Sequence, residues 1–191
     1  MTRLLLSLAT LLLLAACAGA GGTLQPAGRV QVFDLQLETS LDWARIKGAR
    51  QELWTVDGSP LNQLNIVSRV KPGEHVFQGS KATKRRPDGP WFRPGMRPDE
   101  IRDLVADGLA LSGWSAVRAN GLRPADFGGV PGLRFELGLA NGRGLRYRGQ
   151  AAAAERDGRL TLLVWLAPEE HYYPRDAEAV SRTLDRLRFL P

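Results

Sequence analysis

Leu133, Phe135, Leu137 and Leu139 alternate with Arg134, Glu136 and Gly138. After Asn141-Gly142-Arg143, Leu145, Tyr147, Gly149, Ala151 and Ala153 alternate with Arg146, Arg148 and Gln150. A period of two marks strands with one buried face, so the two runs predict an antiparallel hairpin. Its register follows from matching the apolar faces. A two-residue Asn-Gly loop would set Leu137 beside Arg146. A three-residue loop over 141–143 sets Leu137 beside Tyr147 and Glu136 beside Arg148, and is the one expected. Asp157-Gly158 then predicts a tight hairpin that pairs Ala153 with Leu162 and Ala151 with Val164. The strand from Leu160 to Ala167 is apolar on both sides, with Leu160, Leu162, Val164 and Leu166 on one and Leu163 and Trp165 on the other. Such a strand belongs in mid-sheet, covered above and below. Ala151 to Ala154 reads as strand, its small side chains leaving room for a helix to pack closely.

Earlier, Val30 to Leu37 reads as a first strand closing at Glu38-Thr39-Ser40. Gln51–Val56 and Leu61–Val70 read as two more, separated by the turn residues Asp57-Gly58-Ser59-Pro60. Lys71-Pro72-Gly73 ends that sheet segment, and periodicity disappears between Gly79 and Pro98. A helix starts at Pro98, with Asp99 and Glu100 in its first turn and Ile101, Leu104, Val105, Gly108 and Leu111 on one face; Ser112-Gly113 ends it. Trp114 to Ala119 is a short strand. A turn-rich link follows, through Asn120-Gly121 and Phe127-Gly128-Gly129-Val130-Pro131-Gly132. A closing helix runs from Pro174 to Leu187, with Ala177, Val180, Leu184 and Leu187 on its apolar face. Two helices and an antiparallel sheet of about six strands make an α+β sandwich.

One apolar stretch lies outside this scheme. Leu4 to Ala16 is apolar but for the small Ser7 and Thr10, and is preceded by Arg3. It has the length of a signal-peptide core, short of the roughly 18 residues a spanning helix needs. It ends in Leu14-Ala15-Ala16-Cys17, which resembles a bacterial lipobox. The resemblance implies acylation of Cys17, cleavage between Ala16 and Cys17, and a mature chain that starts at the lipid-carrying Cys17. An ordinary secretory peptide cleaved after Ala16, with Cys17 incidental, is the alternative. Three acyl chains at about 0.8 kcal/mol per buried CH2 would make the attachment effectively permanent. Ala18 and Gly19, rather than Asp, follow the cysteine; by the sorting pattern of such lipoproteins this implies the outer membrane, facing the periplasm. The organisation expected is a leader at 1–16, a lipidated Cys17 with a flexible, small-residue tether to 29, and one globular domain over 30–191.

Composition narrows the chemistry. Cys17 is the only cysteine, so the domain folds without disulfides, and the thiol is better explained as an acylation site than as a redox centre or metal ligand. The formal charge is +6, most of it from arginine. A basic balance suits nucleic acid, anionic membrane or acidic partners; outside the cytoplasm nucleic acid is not expected. There are two histidines, His75 and His171. Glu169-Glu170-His171 lacks a second ligand cluster at useful spacing, so no metal or other cofactor is expected. No Gly-x-Ser-x-Gly is present, and nothing in the spacing pairs Ser80 or Ser112 with a histidine, so no catalytic residue is assigned. Phe127-Gly128-Gly129 lacks the lysine and helix start of a phosphate loop.

The best candidate contact surface is the stretch from Lys81 to Arg97. Lys84, Arg85, Arg86 and Arg93 surround the Trp91-Phe92 pair, giving electrostatic steering with an aromatic anchor. The alternative is a solvated loop whose Trp91 and Phe92 tuck onto the sheet edge.

The order of elements resembles the PsbP-like fold, the Ran-binding Mog type included. The local cues are Trp54-Thr55-Val56-Asp57-Gly58, the segment Phe127 to Glu136, and Asp157-Gly158-Arg159-Leu160. The resemblance covers about residues 30 to 190, by topology more than by motif. It implies a non-enzymatic domain that docks on larger assemblies; members include the extrinsic subunit of photosystem II and a nuclear Ran-binding protein, and many bacterial relatives are lipoproteins. The function expected is therefore that of a membrane-anchored interaction or accessory protein of the cell envelope with a protein or envelope partner. A lipid or small-ligand carrier is the alternative, and a hydrolase stands behind both.

Overall fold

The computed structural model describes residues 22–77 and 89–191. Among the described residues eleven strands and two helices follow one another as β1 (Thr23–Gln25), β2 (Gly28–Val32), β3 (Leu35–Thr39), β4 (Trp43–Lys47), β5 (Gln51–Thr55), β6 (Gln63–Val70), α1 (Pro98–Leu111), β7 (Ser115–Asp126), β8 (Pro131–Ala140), β9 (Arg146–Arg156), β10 (Arg159–Pro168), α2 (Tyr172–Asp185) and β11 (Arg188–Phe189). Eight strands form the main sheet in the order β1-β4-β5-β6-β10-β9-β8-β7, and β11-β3-β2 form a small second sheet. The strand pairings are antiparallel. The α+β class expected from the sequence is the one observed, with more strands than the six anticipated.

Strand β10 lies in mid-sheet between β6 and β9, as its two apolar faces require. Leu160, Leu162, Val164 and Leu166 join α1, Phe135 and Phe92 in one core. Leu163, Trp165 and Ala167 face the other way, into a second core shared with α2 and the small sheet. The main sheet is thus the middle of three layers. Each fully buried leucine, valine or phenylalanine contributes roughly 1.5–3 kcal/mol of burial free energy. The β9–β10 hairpin has the expected register, Ala153 opposite Leu162 and Ala151 opposite Val164. Asp157 and Gly158 both take positive φ, 53° and 67°, as a two-residue type I′ turn demands. Ala152 and Ala154 lie under α2 with Val180 and Leu184 in the same cluster.

Other expectations are corrected. Val30 to Leu37 is a hairpin rather than one strand: β2 and β3 pair with Val32 opposite Leu35, and the chain reverses at Phe33-Asp34, where Phe33 has φ 55°. Of the expected tether, β1 pairs with β4 and β2 begins at Gly28, so this part is folded. The strand β4 had no counterpart in the sequence reading. Strand β7 continues through Asn120-Gly121 to Asp126, absorbing that pair in a register shift between Asn120 and Arg123. The β8–β9 register is also different, with Leu137 opposite Gly149, Glu136 opposite Gln150 and Leu139 opposite Tyr147. The connection is longer because Asn141 folds it. Its side-chain oxygen accepts from the Arg143 and Leu145 N–H groups at 3.0 and 3.1 Å, and its own N–H donates to the Leu145 carbonyl. A two-residue slip keeps each side chain on its face.

Two polar clusters, each centred on a buried side chain, hold α2 to the sheet. Near its start, Asn62 donates to Asp176 at 2.6 Å and accepts the Trp165 indole N–H at 2.9 Å. Arg175 bonds both Asp176 and Asp57, and these carboxylates raise its pKa. Near its end, Arg134, 3% exposed, donates to Asp185 (2.5 Å), Gln150 (3.0 Å) and the carbonyls of Ala151 and Ser181. Burial pushes its pKa down to about 10.

Candidate functional site

Helix α1 sets up one wall of a groove. Pro98 occupies its first turn, where no intrahelical N–H is needed, and the Glu100 carboxylate accepts the Arg97 N–H at 2.8 Å. Ile101, Leu104, Val105, Gly108 and Leu109 are buried. Leu111 is 59% exposed instead of packing inward with them. At the other end Gly113, with φ 95°, donates to the Ala110 carbonyl, and Trp114 donates back to Leu109. This paired helix stop turns the chain sharply and fixes Trp114, whose ring meets Tyr147 edge-on at 4.9 Å.

The second wall comes from residues 73–77 and 89–92. Gly73 donates its N–H to the Phe92 carbonyl, Phe92 donates to the Glu74 carbonyl, and His75 bridges Trp91. Arg50 bonds the Glu74 carboxylate at 2.5 Å, and the Lys71 N–H donates to it at 3.0 Å. The Arg50 hydrogen bond is the main reason the Glu74 pKa lies below the ordinary carboxylate value, against the opposing effect of burial. Close approach depends on two glycines. A Cβ at Gly108 would stand 2.8 Å from Val76 Cγ2, and one at Gly89 would stand 2.5 Å from the Trp91 indole nitrogen.

The floor is the open face of β5 and β6, contributing Gln51, Gln63 and Asn65. Together these elements enclose ≈480 Å³, lined also by His75, Phe77, Trp91, Trp114, Leu109, Leu111, Ser112 and Leu166. Volumes from roughly 300 Å³ upward accommodate a small ligand or a partner's side chains. Among the described residues, no Asp, Glu, Lys or Arg lines it. The His75 ring lies 5.8 Å from Trp91 and 6.5 Å from Phe77, both edge-on. Its Nδ1 accepts the Phe77 N–H at 3.1 Å, and burial lowers its pKa. Ser112 shares the groove, but its hydroxyl donates to the Gly108 carbonyl at 2.8 Å. The wall offers amide donors and acceptors beside aromatic rings. That chemistry recognises neutral polar groups attached to apolar ones.

The residues singled out by sequence fall in three places. Ala16, Cys17, Lys84, Arg85 and Arg86 lie outside the described residues. Phe92 is fully buried in the core beneath α1, and Trp91 is 9% exposed, turned toward His75. The aromatic pair therefore packs inward, leaving Arg93 as the solvent-facing member of the expected contact set among the described residues; it lies 3.9 Å from Glu100. His171 precedes α2 and meets Tyr172 edge-on, while Glu169 pairs with Arg146 at 3.0 Å. Among the described residues no group of three or more His, Cys, Asp or Glu could hold a metal ion. Phe127-Gly128-Gly129 is a turn, with the Phe127 N–H donating to Val130 and the Gly129 N–H to Asp126. Gln51, Gln63 and Asn65 were invisible as site residues because each is an ordinary polar position in an alternating strand. The pairing of Ser112-Gly113 with Trp114 was the one local signal that an aromatic residue is held at a helix end.

No protein-family model matches the sequence, and no curated protein matches it. Among solved structures, PsbP (CyanoP) of Synechocystis sp. PCC 6803 superposes with a TM-score of 0.57 at 13% identity, covering 91% of this chain and 96% of that one. The Ran-binding protein Mog1p of Saccharomyces cerevisiae superposes with a TM-score of 0.52 at 9% identity, covering 85% and 94%. LpqN of Mycobacterium tuberculosis, described as involved in cell envelope biogenesis, covers 91% of this chain and 87% of its own at 10% identity, with a TM-score of 0.40, too distant to carry an argument. The chain therefore has a PsbP/Mog1-like fold.

Proposed function

We propose that this protein is a lipid-anchored component of the cell envelope, attached through Cys17, whose domain binds a partner instead of turning over a substrate. The observation that carries the binding reading is the composition of the groove between α1, the 73–77 and 89–92 segments and the open sheet face. It joins indole, imidazole and amide groups, while its one described hydroxyl is engaged with its own helix. A general base needs a nucleophile within hydrogen-bond reach, and the His75 Nδ1 is occupied by a backbone N–H. The fold supports the same reading, since one of the structures sharing it is a Ran-binding protein. Anchoring rests on Leu14-Ala15-Ala16-Cys17 and its apolar lead-in, and an outer-membrane address facing the periplasm on Ala18-Gly19. No helix among the described residues is long and apolar enough to cross a membrane.

The test uses a photocrosslinking residue at Gln63, in the groove, and at Glu178, on the exposed side of α2, in intact cells expressing the full chain. A discrete adduct from position 63, absent at 178 and lost in Asn65→Arg, is expected. Identical adducts from both positions would overturn the groove as the binding site. The groove's size favours a carrier of a small ligand as the second reading. Native mass spectrometry would then show a co-purifying molecule that Asn65→Arg releases.

A further inference from the structure

The α1-side face of the main sheet is only partly covered. Helix α1 and its neighbouring segments close it over β6, β10, β9 and β8. On β1, β4 and β5 it is open. Leu24 lies opposite Ala44, and Ile46 opposite Leu53; directly opposed residues point to the same side of a sheet, so these four share one surface. Leu24 is 73% and Ile46 45% exposed, and neither belongs to either core cluster. Strand β1 runs so that Thr23 pairs with Arg45 and Leu24 with Ala44. Gly22, next to β1 on the Cys17 side, lies against the Arg45 backbone beside Ile46.

Length completes the argument. Cys17 is five residue steps from Gly22, and a fully extended chain covers at most roughly 3.6 Å per residue. With a lipid on Cys17, the start of β1 stays within about 18 Å of the membrane surface. That leash keeps Leu24 and Ile46, the exposed apolar side chains nearest the anchor, within reach of the bilayer.

We infer that the open β1–β4–β5 face is a membrane-docking surface, with Leu24 and Ile46 entering the headgroup–acyl boundary. The inference rests on the lipidation of Cys17. Shallow insertion of exposed apolar side chains is how surface-lying elements hold a bilayer. The occupant is the lipid surface; a second copy of the chain is the competing outcome. The groove opens on the same side of the sheet, through Gln51 and Asn65, so docking would turn its mouth toward the membrane.

The experiment uses the full-length lipoprotein reconstituted into vesicles of phosphatidylethanolamine and phosphatidylglycerol. Acylation blocks the native thiol, so a nitroxide attaches only at an introduced cysteine: Leu24→Cys, Ile46→Cys, or Asn120→Cys on β7 at the far edge of the sheet. Labels at 24 and 46 should relax faster with oxygen than with a water-soluble nickel chelate, and the label at 120 should show the reverse. Nickel-favoured relaxation at all three positions, in protein whose attachment is lost on Cys17→Ser, overturns docking and leaves the anchor intact. Attachment that survives Cys17→Ser overturns the anchor itself. Dipolar broadening between labels at 24 shows a second copy on this face, and also overturns the inference.

Discussion

His75 shows how one side chain reports on the groove. Burial disfavours its cation, so its pKa in the folded protein lies below the ordinary 6.5. The unfolded chain takes up that proton near pH 6.5, and the folded chain does so only at lower pH. Where the unfolded state binds more protons, stability rises with pH. The His75 contribution is therefore complete above the unfolded pKa, falls as pH is lowered through it, and levels off below the folded pKa. Calorimetry of wild type and His75→Gln between about pH 7.5 and about pH 5.5 should show a steeper decline in Tm for wild type. Parallel curves would mean that His75 titrates as it does in the unfolded chain. The two walls that enclose the ring also explain why sequence gave no hint of it: its neighbours Trp91 and Phe77 reach it through a backbone bridge and a two-residue contact, neither of which has a motif. The sequence reading offered Trp91-Phe92 as an aromatic anchor for a partner, but the pair faces inward, because Phe92 completes the core under α1.

At the scale of elements, α2 is held by side chains that no periodicity reveals. Its apolar stripe is readable in Val180 and Leu184, yet Asp176 and Thr183 are buried beside them. Asn62→Leu would strand the Trp165 indole N–H and take a donor from Asp176. It should cost about 2–3 kcal/mol in urea unfolding with an unchanged m-value. Arg134→Met would remove the donor set at the other end of the helix, at a similar cost of about 2–4 kcal/mol. The two clusters share no bonding partner, so the double variant should lose about the sum of both; a loss no greater than that of either single variant would mean that the helix leaves as one piece.

The β9–β10 hairpin was legible to the residue because Asp157-Gly158 is a turn with one geometry and both flanking faces are apolar. The β8–β9 register was not, since Asn141 closes a longer loop that preserves the same alternation. The Phe33-Asp34 reversal escaped because a phenylalanine in the left-handed region is no turn signal. What holds it is distant: the Asp34 carboxylate accepts from Ser68 and Arg156 at 3.0 and 2.8 Å. Strand β4 was short and flanked by polar residues, and its partner β1 lay in a stretch whose small residues suggested a tether.

For the whole molecule, the second sheet joins the two ends of the domain. Strand β11 pairs with β3, Phe189 donates to Phe127 and Leu190 to Asp34, and Arg156 bonds the Leu190 carbonyl at 2.6 Å. Deleting residues 188–191 should lower Tm by more than about 5 °C, because it uncovers the Leu35–Leu37 face and leaves Asp34 without its backbone partner. Unchanged thermal unfolding would show that the small sheet stands on the β2–β3 hairpin alone.

That closure has a consequence for how the chain folds. The third strand of the small sheet pairs Arg188 with Gln36 and Phe189 with Leu35, 152 and 154 positions apart. Contacts of such wide separation form late and slowly. Until β11 arrives, the greasy side chains of Leu35 and Leu37 stand bare, so a half-finished molecule is the form most in need of a chaperone's grip.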